Sequence, residues 1–252
     1  MKIKKINKDR WKQAQKFEFD EWVSDKNIIN DEWQELCHKF SKLFPKIAKK
    51  INLKKTDKIL DVGCGPTVPS RLLGVGKIIG IEPLADKLKI SGKNKVKGVD
   101  LIVNGMAESL PFKDNSFNLV VCRNVIDHTQ YPEKIIKEIH RVLKRDGHLL
   151  LICYTYAPFI TWIKNTSEKT GFLNNTGHPF TFTPNTLDNL VDKKLKIIDR
   201  YTIHTGIDST DYGKKGKSIK DNSVIHKIII WINKTIFMSS WFLKEYGYLA
   251  EK

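Results

Sequence analysis

The distribution of apolar residues changes character at residue 56. From there onward, short apolar runs alternate with amphipathic stretches, which is typical of a parallel β-sheet with helices on both faces. The apolar runs have the length and the β-branched content of buried strands. They predict strands at 58–62, 77–81, 100–104, 118–122, 148–153 and 195–203. A last short strand is predicted at 246–251, antiparallel if it returns to the edge of the sheet.

The stretches between these strands predict helices. Short helices are expected around Ser70 and around Ala85, and longer ones over 132–143 and 184–193. Within 132–143 the apolar residues recur at helical spacing, and Gly147 follows as a stop signal. The order of strands and helices is that of an α/β fold.

The first fifty residues are predicted to be helical. Trp11, Trp22 and Trp33 stand among charged residues and are eleven positions apart, so they can share one helical face. Helix caps or breaks are expected at 24–25 and 30–31, which divides the segment into two or three helices. Two interpretations stay open: the aromatic residues pack the helices onto the sheet, or they cover an active site.

Two segments in the second half have less regular patterns. Residues 154–184 are expected to form a long irregular loop, and such loops at the carboxyl edge of a sheet usually carry function. Residues 208–221 are polar and rich in glycine and lysine. The very apolar segment 223–243 is predicted to be a helix. It can pack on the sheet, cover an acceptor pocket, form a dimer interface or lie in a membrane interface.

The length of the chain fits one elaborated domain. A chain of 252 residues can bury a sizeable core, but two complete domains are not expected. We divide the chain into an N-terminal helical cap at 1–53 and a main domain at 54–252. The main domain includes the loop 154–184 and a helical insertion at 205–244.

The sequence contains no signal for export or for a membrane span. Its N-terminus is positively charged but lacks the apolar core of a signal peptide, and no stretch reaches the roughly 18 uninterrupted apolar residues of a transmembrane helix. We therefore expect a soluble, cytoplasmic protein. Cys37, Cys64, Cys122 and Cys153 are widely spaced and form no Cys-x-x-Cys pair, which predicts free thiols.

A formal net charge of +16 makes nucleic acid and anionic membranes partners to consider. Lysine outweighs arginine, and isoleucine and asparagine are abundant, a pattern that a compositional bias of the source also explains. Charge alone supports only non-specific binding to nucleic acid, which is therefore a disfavoured partner. Peripheral membrane contact through 223–243 stays open, and so does the oligomeric state.

Residues 61–65 (DVGCG) follow the first predicted strand and have the composition of a ligand-binding turn. Ligands of open parallel sheets bind outside the carboxyl ends of the strands, where this turn lies. Glu82 ends the second strand, about twenty residues later, where a carboxylate accepts both hydroxyls of a ribose. Val68 stands where a dinucleotide-binding loop has its third glycine. A nucleoside cofactor without phosphates therefore fits better than a dinucleotide.

Five motifs, in order and at suitable spacing, resemble those of class I methyltransferases that use S-adenosylmethionine. They are ILDVGCG at 59–65, GIE at 80–82, GMAESLPF at 105–112, DNSFNLV at 114–120 and RVLKRDG at 141–147. The resemblance covers about residues 54–154. Each motif is modest alone, but the five together are specific.

The resemblance implies a doubly wound, Rossmann-like sheet of seven strands with the last antiparallel, an N-terminal helical cap and an inserted late helix. It also implies S-adenosyl-L-methionine as the cofactor. Asp61 would order the glycine turn or bind the amino group of the cofactor, and Glu82 would bind its ribose. The cofactor-binding residues that it implies are Asp61, Gly63, Cys64, Gly65, Glu82, Pro83, Ala107, Glu108, Arg123 and Asn124.

Methyl transfer is an in-line displacement, so the main task of the protein is to align acceptor, methyl group and sulfur in a dry site. If the acceptor is a hydroxyl, a base with a pKa near working pH helps, which favours histidine. His128 follows the fourth strand, and His178 lies in the loop 154–184. Both are candidate catalytic residues that deprotonate or position the acceptor, although either can equally serve the packing of its loop. No cluster of metal ligands is predicted.

The acceptor is expected to be a small, sugar-linked or lipid-linked molecule, methylated at oxygen. The segment after the fourth strand lacks the Asn-Pro-Pro-Tyr and Asp-Pro-Pro-Tyr patterns of relatives that methylate exocyclic amines of bases. No Pro-Cys pair is present for methylation of cytosine carbon. Two alternatives stay open: a methyltransferase that modifies tRNA, and a non-catalytic protein that keeps the fold as a scaffold.

Overall fold

Seven β-strands form one mixed sheet at the centre of the molecule. The computed structural model describes residues 5–24, 27–90, 96–170, 177–203 and 243–252. The strands in chain order are β1 (Lys58–Val62), β2 (Lys77–Glu82), β3 (Leu101–Asn104), β4 (Phe117–Arg123), β5 (Leu143–Tyr156), β6 (Lys196–Ile203) and β7 (Leu243–Glu251). They lie in the order β3-β2-β1-β4-β5-β7-β6, and β7 is antiparallel to both of its neighbours. The predicted doubly wound sheet with an antiparallel last strand is confirmed.

The central position of β1 agrees with its composition. It pairs in parallel with β2 on one side and with β4 on the other, and every residue after Lys58 is buried. A strand covered on both faces has a nearly continuous apolar sequence, as Ile59 and Leu60 illustrate. The carboxyl ends of the three strands meet at one edge of the sheet, where residues 63–65 begin the next turn.

Six α-helices and two 3₁₀ segments accompany the sheet within the described residues. The helices are α1 (Lys8–Val23), α2 (Ile28–Phe40), α3 (Leu43–Lys50), α4 (Pro132–Val142), α5 (Pro158–Thr170) and α6 (Pro184–Val191). The 3₁₀ segments are Pro69–Leu73 and Ile126–His128. Helix α4 begins at Pro132, whose fixed φ suits a first turn, and its apolar positions form one buried face.

Each face of the sheet has its own apolar core. On one face, α4 and α6 pack against β4, β5 and β7. On the other face, α2 and α3 contribute Leu36, Phe40, Phe44 and Ile47, all of them fully buried. Within α1, by contrast, Ala14 is the only buried residue. Helices α2 and α3 therefore belong to the core, whereas α1 lies on its periphery.

The predicted cap or break at 30–31 is misplaced, because these residues lie inside α2, which begins at Ile28. Asp31 stands in the first turn of that helix, where its charge favours the helix dipole. The polar pair therefore marks a helix start, and the chain breaks later, at Ser41, before α3 begins. The break at 24–25 agrees with the structure, since α1 ends at Val23.

The helix predicted around Ala85 is absent from the structure, in which residues 83–89 form a series of turns. Their backbone hydrogen bonds reach back three, four or five residues, as in the bond from Ile90 N to Ala85 O. A helix requires consecutive bonds of one type, and no two successive residues of this segment form bonds of the same type.

Strand β5 is longer than predicted at both ends. It begins at Leu143, which has an extended backbone and pairs with Phe117, so α4 stops one residue earlier than predicted. Gly147 consequently lies inside the strand and does not end the helix. At its other end, β5 continues to Tyr156.

The segment 154–184 is not an irregular loop throughout, because α5 occupies Pro158–Thr170. Its apolar residues do not form a single buried stripe, since Ile160 is buried while Phe159 and Trp162 are exposed. The helical period is therefore weak in the sequence. After residue 176 the chain returns along β5, where Tyr156 N donates to Phe182 O at 2.8 Å.

The late helix predicted at 223–243 lies outside the described residues, except for Leu243, which begins β7. The polar segment 208–221 and most of the predicted insertion 205–244 lie outside them as well. In the part of the chain that the structure describes, no helix is both long and apolar enough to span a bilayer. All four cysteines are free, as predicted.

Candidate active site

The turn after β1 has a backbone conformation that favours glycine. Gly63 and Gly65 have φ values of 60° and 52°, in the left-handed region. Gly63 also lies directly against Val125, and a Cβ at this position would overlap the methyl groups of the valine. Its N–H donates to Ile81 O at 2.8 Å. The turn is therefore held between the ends of β2 and β4, and it borders a pocket.

This pocket lies at the carboxyl edge of the sheet, between the strand ends and the N-terminal helices. All residues predicted to bind the cofactor line it, with the exception of Asp61. They are Gly63, Cys64, Gly65, Glu82, Pro83, Ala107, Glu108, Arg123 and Asn124. His128 lines the pocket too, whereas His178 stands behind it. The structure thus brings together residues that are far apart along the chain.

Asp61 lies beneath the pocket and supports the glycine turn. Its side chain is buried, and its Oδ2 accepts the N–H of Ser70 at 2.8 Å. Burial raises the pKa of Asp61 to about 6, although the hydrogen bond from Ser70 opposes the rise. This bond joins β1 to the 3₁₀ segment Pro69–Leu73, which agrees with a role in ordering the turn. A contact of Asp61 with the cofactor stays a prediction.

Glu82 is the carboxylate at the end of β2. Its two oxygens accept the N–H groups of Gly65 at 3.1 Å and of Leu84 at 3.0 Å. The residue is only 8% exposed, and burial raises the pKa of its carboxyl to about 7 although both hydrogen bonds lower it. Glu82 is therefore fixed against the glycine turn and changes its charge near neutral pH.

The wall of the pocket is acidic although the protein as a whole is strongly basic. Four glutamates line it, namely Glu18, Glu32, Glu82 and Glu108. The basic residues of the lining are Arg123 and His128. Because carboxylates outnumber the basic groups, this cavity favours a cationic ligand over a phosphate.

Helix α1 closes the pocket with one of its faces. The residues of this face are spaced by four, three and four positions, so they form a single helical stripe. They are Trp11, Gln15, Glu18 and Trp22. Trp33 belongs to α2 and packs elsewhere, with the guanidinium of Arg71 at 4.1 Å from its ring centroid. The positions of Trp11 and Trp22 agree with the interpretation in which the tryptophans cover the pocket.

The loop after β3 forms another border of the pocket. It carries Ala107 and Glu108, and the carboxylate of Glu108 accepts the N–H of Gln130 at 2.8 Å. On the side of the loop opposite the pocket, the guanidinium of Arg141 in α4 donates to two backbone carbonyls of this loop, at 2.7 and 2.9 Å. The position of this border therefore depends on a helix that does not itself touch the pocket.

Arg123 and Asn124 end β4 within a network of charges. Arg123 lies 3.3 Å from Glu245, which is fully buried in β7, and 3.3 Å from Glu32 of α2. The Nζ of Lys39 approaches the same Glu245 at 3.7 Å. Asn124 has a φ of 49°, so the chain turns sharply after the strand. This network connects the pocket with the first part of β7 and with α2.

Asp127, His128 and His178 form a compact cluster beside the pocket. The Oδ2 of Asp127 lies 2.8 Å from Nδ1 of His178 and 3.7 Å from Nε2 of His128. The centroids of the two imidazole rings are 4.2 Å apart. On its other side, Nδ1 of His128 lies 3.2 Å from Oε1 of Glu18. The two histidines proposed from the sequence are therefore in contact.

Each charged group in this cluster stabilises the charged form of its neighbours. Burial by itself lowers the pKa of His128, but the carboxylates of Asp127 and Glu18 outweigh it and raise that pKa above its ordinary value. Burial by itself raises the pKa of Asp127, but the two histidines outweigh it and hold that pKa at about 2. Asp127 therefore remains ionised, and the cluster keeps a negative charge between two imidazoles.

Backbone contacts fix the position of His178. The N–H of Phe180 donates to Asp127 O at 3.2 Å, which ties the returning segment to the 3₁₀ turn after β4. Gly177 packs against the ring of Phe17 in α1, where a Cβ would stand 2.9 Å from the ring. The cluster thus depends on three separate parts of the chain.

Sequence reasoning missed Asp127 and Glu18. The sequence predicts no cluster of metal ligands, but the structure brings three potential ligands together, since the ligand atoms of Asp127, His128 and His178 all lie within 4.8 Å of one another. The adjacency of Asp127 and His128 after β4 was a signal available in the sequence. The approach of Glu18 was not, because it depends on how α1 crosses the pocket.

Comparison with known proteins agrees with a methyltransferase domain. Residues 60–151 match a family model described as a methyltransferase domain. The chain is 34% identical over 106 residues to an uncharacterized methyltransferase, YcgJ, of Bacillus subtilis, which covers 40% of this chain and 42% of that protein. It is 35% identical over 117 residues to a demethylmenaquinone methyltransferase of Listeria welshimeri, which covers 41% and 48%. The chain spans less than half the length of these curated relatives.

Solved structures share the fold over most of the chain. The crystal structure of the Bacillus YcgJ protein has a TM-score of 0.63 at 18% identity, covering 83% of this chain and 97% of that one. A putative sarcosine dimethylglycine methyltransferase from Galdieria sulphuraria has a TM-score of 0.64 at 15% identity, covering 95% and 98%. At such identities the likeness concerns the fold alone.

Proposed function

We propose that this chain, whose residues 60–151 belong to the class I methyltransferase family, binds S-adenosylmethionine and transfers its methyl group to an acceptor. The observation that carries the proposal is the acidic pocket above the glycine turn, with Glu82 at its floor. When bound, S-adenosylmethionine supplies an electrophilic methyl group on a positively charged sulfur. The glutamates of the wall suit that charge, and Gly63 and Gly65 allow close approach of a ligand to the backbone.

The proposed roles of individual residues follow from their places around the pocket. Glu82 would accept the hydroxyls of the ribose, as its position at the end of β2 suggests. Ala107 and Glu108 would border the adenine. Arg123 and Asn124, just past β4, would line the methionine side. Asp61 would act through the turn that it supports.

For the acceptor we propose a hydroxyl on a small, sugar-linked or lipid-linked molecule. Methylation of a hydroxyl releases a proton, and the cluster of Asp127, His128 and His178 adjoins the pocket at a place where such a proton can be received. The hydrogen bond from His178 to Asp127 orients that imidazole, as a carboxylate does in other acid-base pairs.

The net charge of +16 favours a second candidate, the modification of tRNA. The acidic lining of the pocket weighs against it, because a phosphate backbone would be repelled there. Binding of a tRNA pool at increasing salt, combined with transfer of a labelled methyl group, tests this candidate. Salt-sensitive binding without label in the RNA would mean that the charge supports only non-specific contact.

Isothermal titration calorimetry with S-adenosylmethionine and S-adenosylhomocysteine tests the main proposal. We expect both to bind, and we expect Glu82→Ala to weaken binding at least about tenfold through the loss of charged hydrogen bonds. Glu133→Ala is the matched control, since Glu133 lies in the first turn of α4, pairs with Lys193 after α6 and does not line the pocket. Absence of binding by the unaltered chain would contradict the proposal. Equal binding by the two variants would mean that Glu82 does not contribute to cofactor binding.

A further inference from the structure

We infer that Asp127, His128 and His178 form a binding site for a divalent transition-metal ion of the zinc class. Their ligand atoms all lie within 4.8 Å of one another. Two imidazoles and one carboxylate are a donor set that binds zinc and related ions in proteins, and hard cations such as magnesium prefer oxygen ligands instead. The donor set therefore selects the class of ion.

The separations between the donor atoms agree with such a site. In a tetrahedral site with bonds of about 2.0–2.1 Å, neighbouring ligand atoms are about 3.3 Å apart. The Oδ2 of Asp127 lies 2.8 Å from Nδ1 of His178 and 3.7 Å from Nε2 of His128, which brackets that value. The two imidazole nitrogens lie within 4.8 Å of each other, so binding an ion would also require the two rings to approach by up to about 1.5 Å.

Glu18 stands where an outer carboxylate supports a metal-bound histidine. Its Oε1 is 3.2 Å from Nδ1 of His128, while Nε2 of the same ring faces Asp127. Histidines that bind metals usually present one nitrogen to the ion and donate the other N–H to a carboxylate, which fixes the orientation of the ring. Glu18 is close enough for this role, but Nδ1 of His128 has no hydrogen-bond partner within the described residues, so the hydrogen bond itself would have to form when an ion binds.

One carboxylate oxygen of Asp127 is buried without a hydrogen bond in the described structure. The residue is 4% exposed, and its Oδ1 has no hydrogen-bond partner among the described residues. Buried carboxylate oxygens are seldom left without a partner. A metal ion that binds both oxygens, or a water molecule on that ion, would satisfy it.

The site would adjoin the pocket on its His128 side. His128 lines the pocket, and the side chain of His178 is 36% exposed. Three protein ligands leave a coordination position free for a further ligand. In one respect the inference rests on the proposed function: an ion here would bind the acceptor oxygen and lower the pKa of its proton. The two histidines would then act as metal ligands and not as free bases, and the proton lost by the acceptor would pass to water.

Metal analysis of the tag-free chain of 252 residues after equilibrium dialysis against zinc tests the inference. We expect one bound ion per chain. His178→Ala and Asp127→Asn are each expected to weaken binding at least about tenfold, and Glu18→Gln to weaken it by about 10–100-fold, as is usual for an outer carboxylate. His140→Ala is the control and is expected to leave binding unchanged, because His140 lies in α4 near Lys252 and Lys194. Cobalt serves as a spectroscopic probe, since the visible absorption of the bound ion reports its coordination.

Thermal unfolding of each metal-free variant shows whether it folds. His178 is partly exposed, so its replacement is the safer variant if Asp127→Asn does not fold. Lack of zinc binding by the unaltered chain, or equal binding by His178→Ala and His140→Ala, would overturn the inference. The same metal-free samples are also tested for binding of S-adenosylhomocysteine. If they bind it but do not bind zinc, the metal site is refuted while the proposed function stands.

Discussion

At the scale of single residues, position 63 cannot accommodate a side chain without a loss of stability. Its φ is 60°, and an added Cβ would overlap Val125. We expect Gly63→Ala to lower the free energy of unfolding by about 2–4 kcal/mol, because left-handed strain and overpacking add to each other. Urea denaturation measures this loss.

Gly74→Ala is the matched control for that prediction. Gly74 has a φ of 70°, but no atom lies within 4 Å of its Cβ position, so only the backbone strain of about 1 kcal/mol is expected. Adding Val125→Ala to Gly63→Ala should restore part of the lost stability. Equal costs for the two single glycine variants would mean that the valine moves aside freely.

Glu82 should make the binding of the proposed cofactor depend on pH. Because burial raises its pKa to about 7, the carboxyl is mostly protonated near pH 6 and mostly ionised near pH 8. The hydroxyls of a ribose donate to the ionised form. Affinity for S-adenosylhomocysteine should therefore rise about tenfold between about pH 6 and pH 8.

Calorimetry at the two pH values measures this dependence. Glu82→Gln keeps the shape of the side chain and should bind weakly at both. If the Gln variant retained the tenfold change, another group would be responsible, and Asp61 would be the next to test because its pKa is also raised, to about 6.

At the scale of elements, α4 holds the loop after β3 from the side opposite the pocket. Arg141 donates to the carbonyls of Leu110 and Phe112, and Glu138 accepts the N–H of Leu110 at 2.9 Å. We expect Arg141→Met to lower the free energy of unfolding by about 1–3 kcal/mol, because two carbonyls lose a charged donor. Binding of S-adenosylhomocysteine should weaken too, since the same loop borders the pocket.

Denaturation, calorimetry and hydrogen exchange at the amide of Leu110 measure these effects. Arg200→Met is the control, because Arg200 forms an exposed pair with Asp188 and its loss should cost less than about 1 kcal/mol. Should both arginine variants bind the ligand equally well, the loop would hold its position without α4.

At the scale of the whole molecule, the N-terminal helices differ in what their removal should do. Helix α1 buries only Ala14 but lines the pocket, whereas α2 and α3 bury Leu36, Phe40 and Phe44 completely. Deletion of residues 1–24 should leave a folded chain with weaker ligand binding. Deletion of residues 1–53 should prevent stable folding, because each large apolar side chain lost from a core costs about 2–5 kcal/mol.

Circular dichroism and calorimetry distinguish these outcomes. A stable chain without residues 1–53 would mean that α2 and α3 are an appendage and not part of the core. Full ligand affinity after deletion of residues 1–24 would mean that Trp11, Glu18 and Trp22 cover the pocket without contributing to binding.

The sequence by itself determined where the strands lie along the chain and where the glycine turn follows them. Strands buried on both faces keep nearly continuous apolar runs, so β1 was predicted with its observed bounds, Lys58–Val62. The glycine turn is equally local, since Gly63 and Gly65 directly follow that strand, and Glu82 ends the next one. Such features depend on a few neighbouring residues and can be recognised in a single sequence.

Only the tertiary structure decided which side chains from distant parts of the chain meet. Glu18 reaches His128, and Asp127 joins the two histidines, because α1 and the segment that begins at Gly177 both pack beside the turn after β4. Glu245 is buried beside Arg123 through the pairing of β7 with β5. Periodicity indicates which face of an element is covered, but the partner on that face depends on how the elements pack against one another in three dimensions.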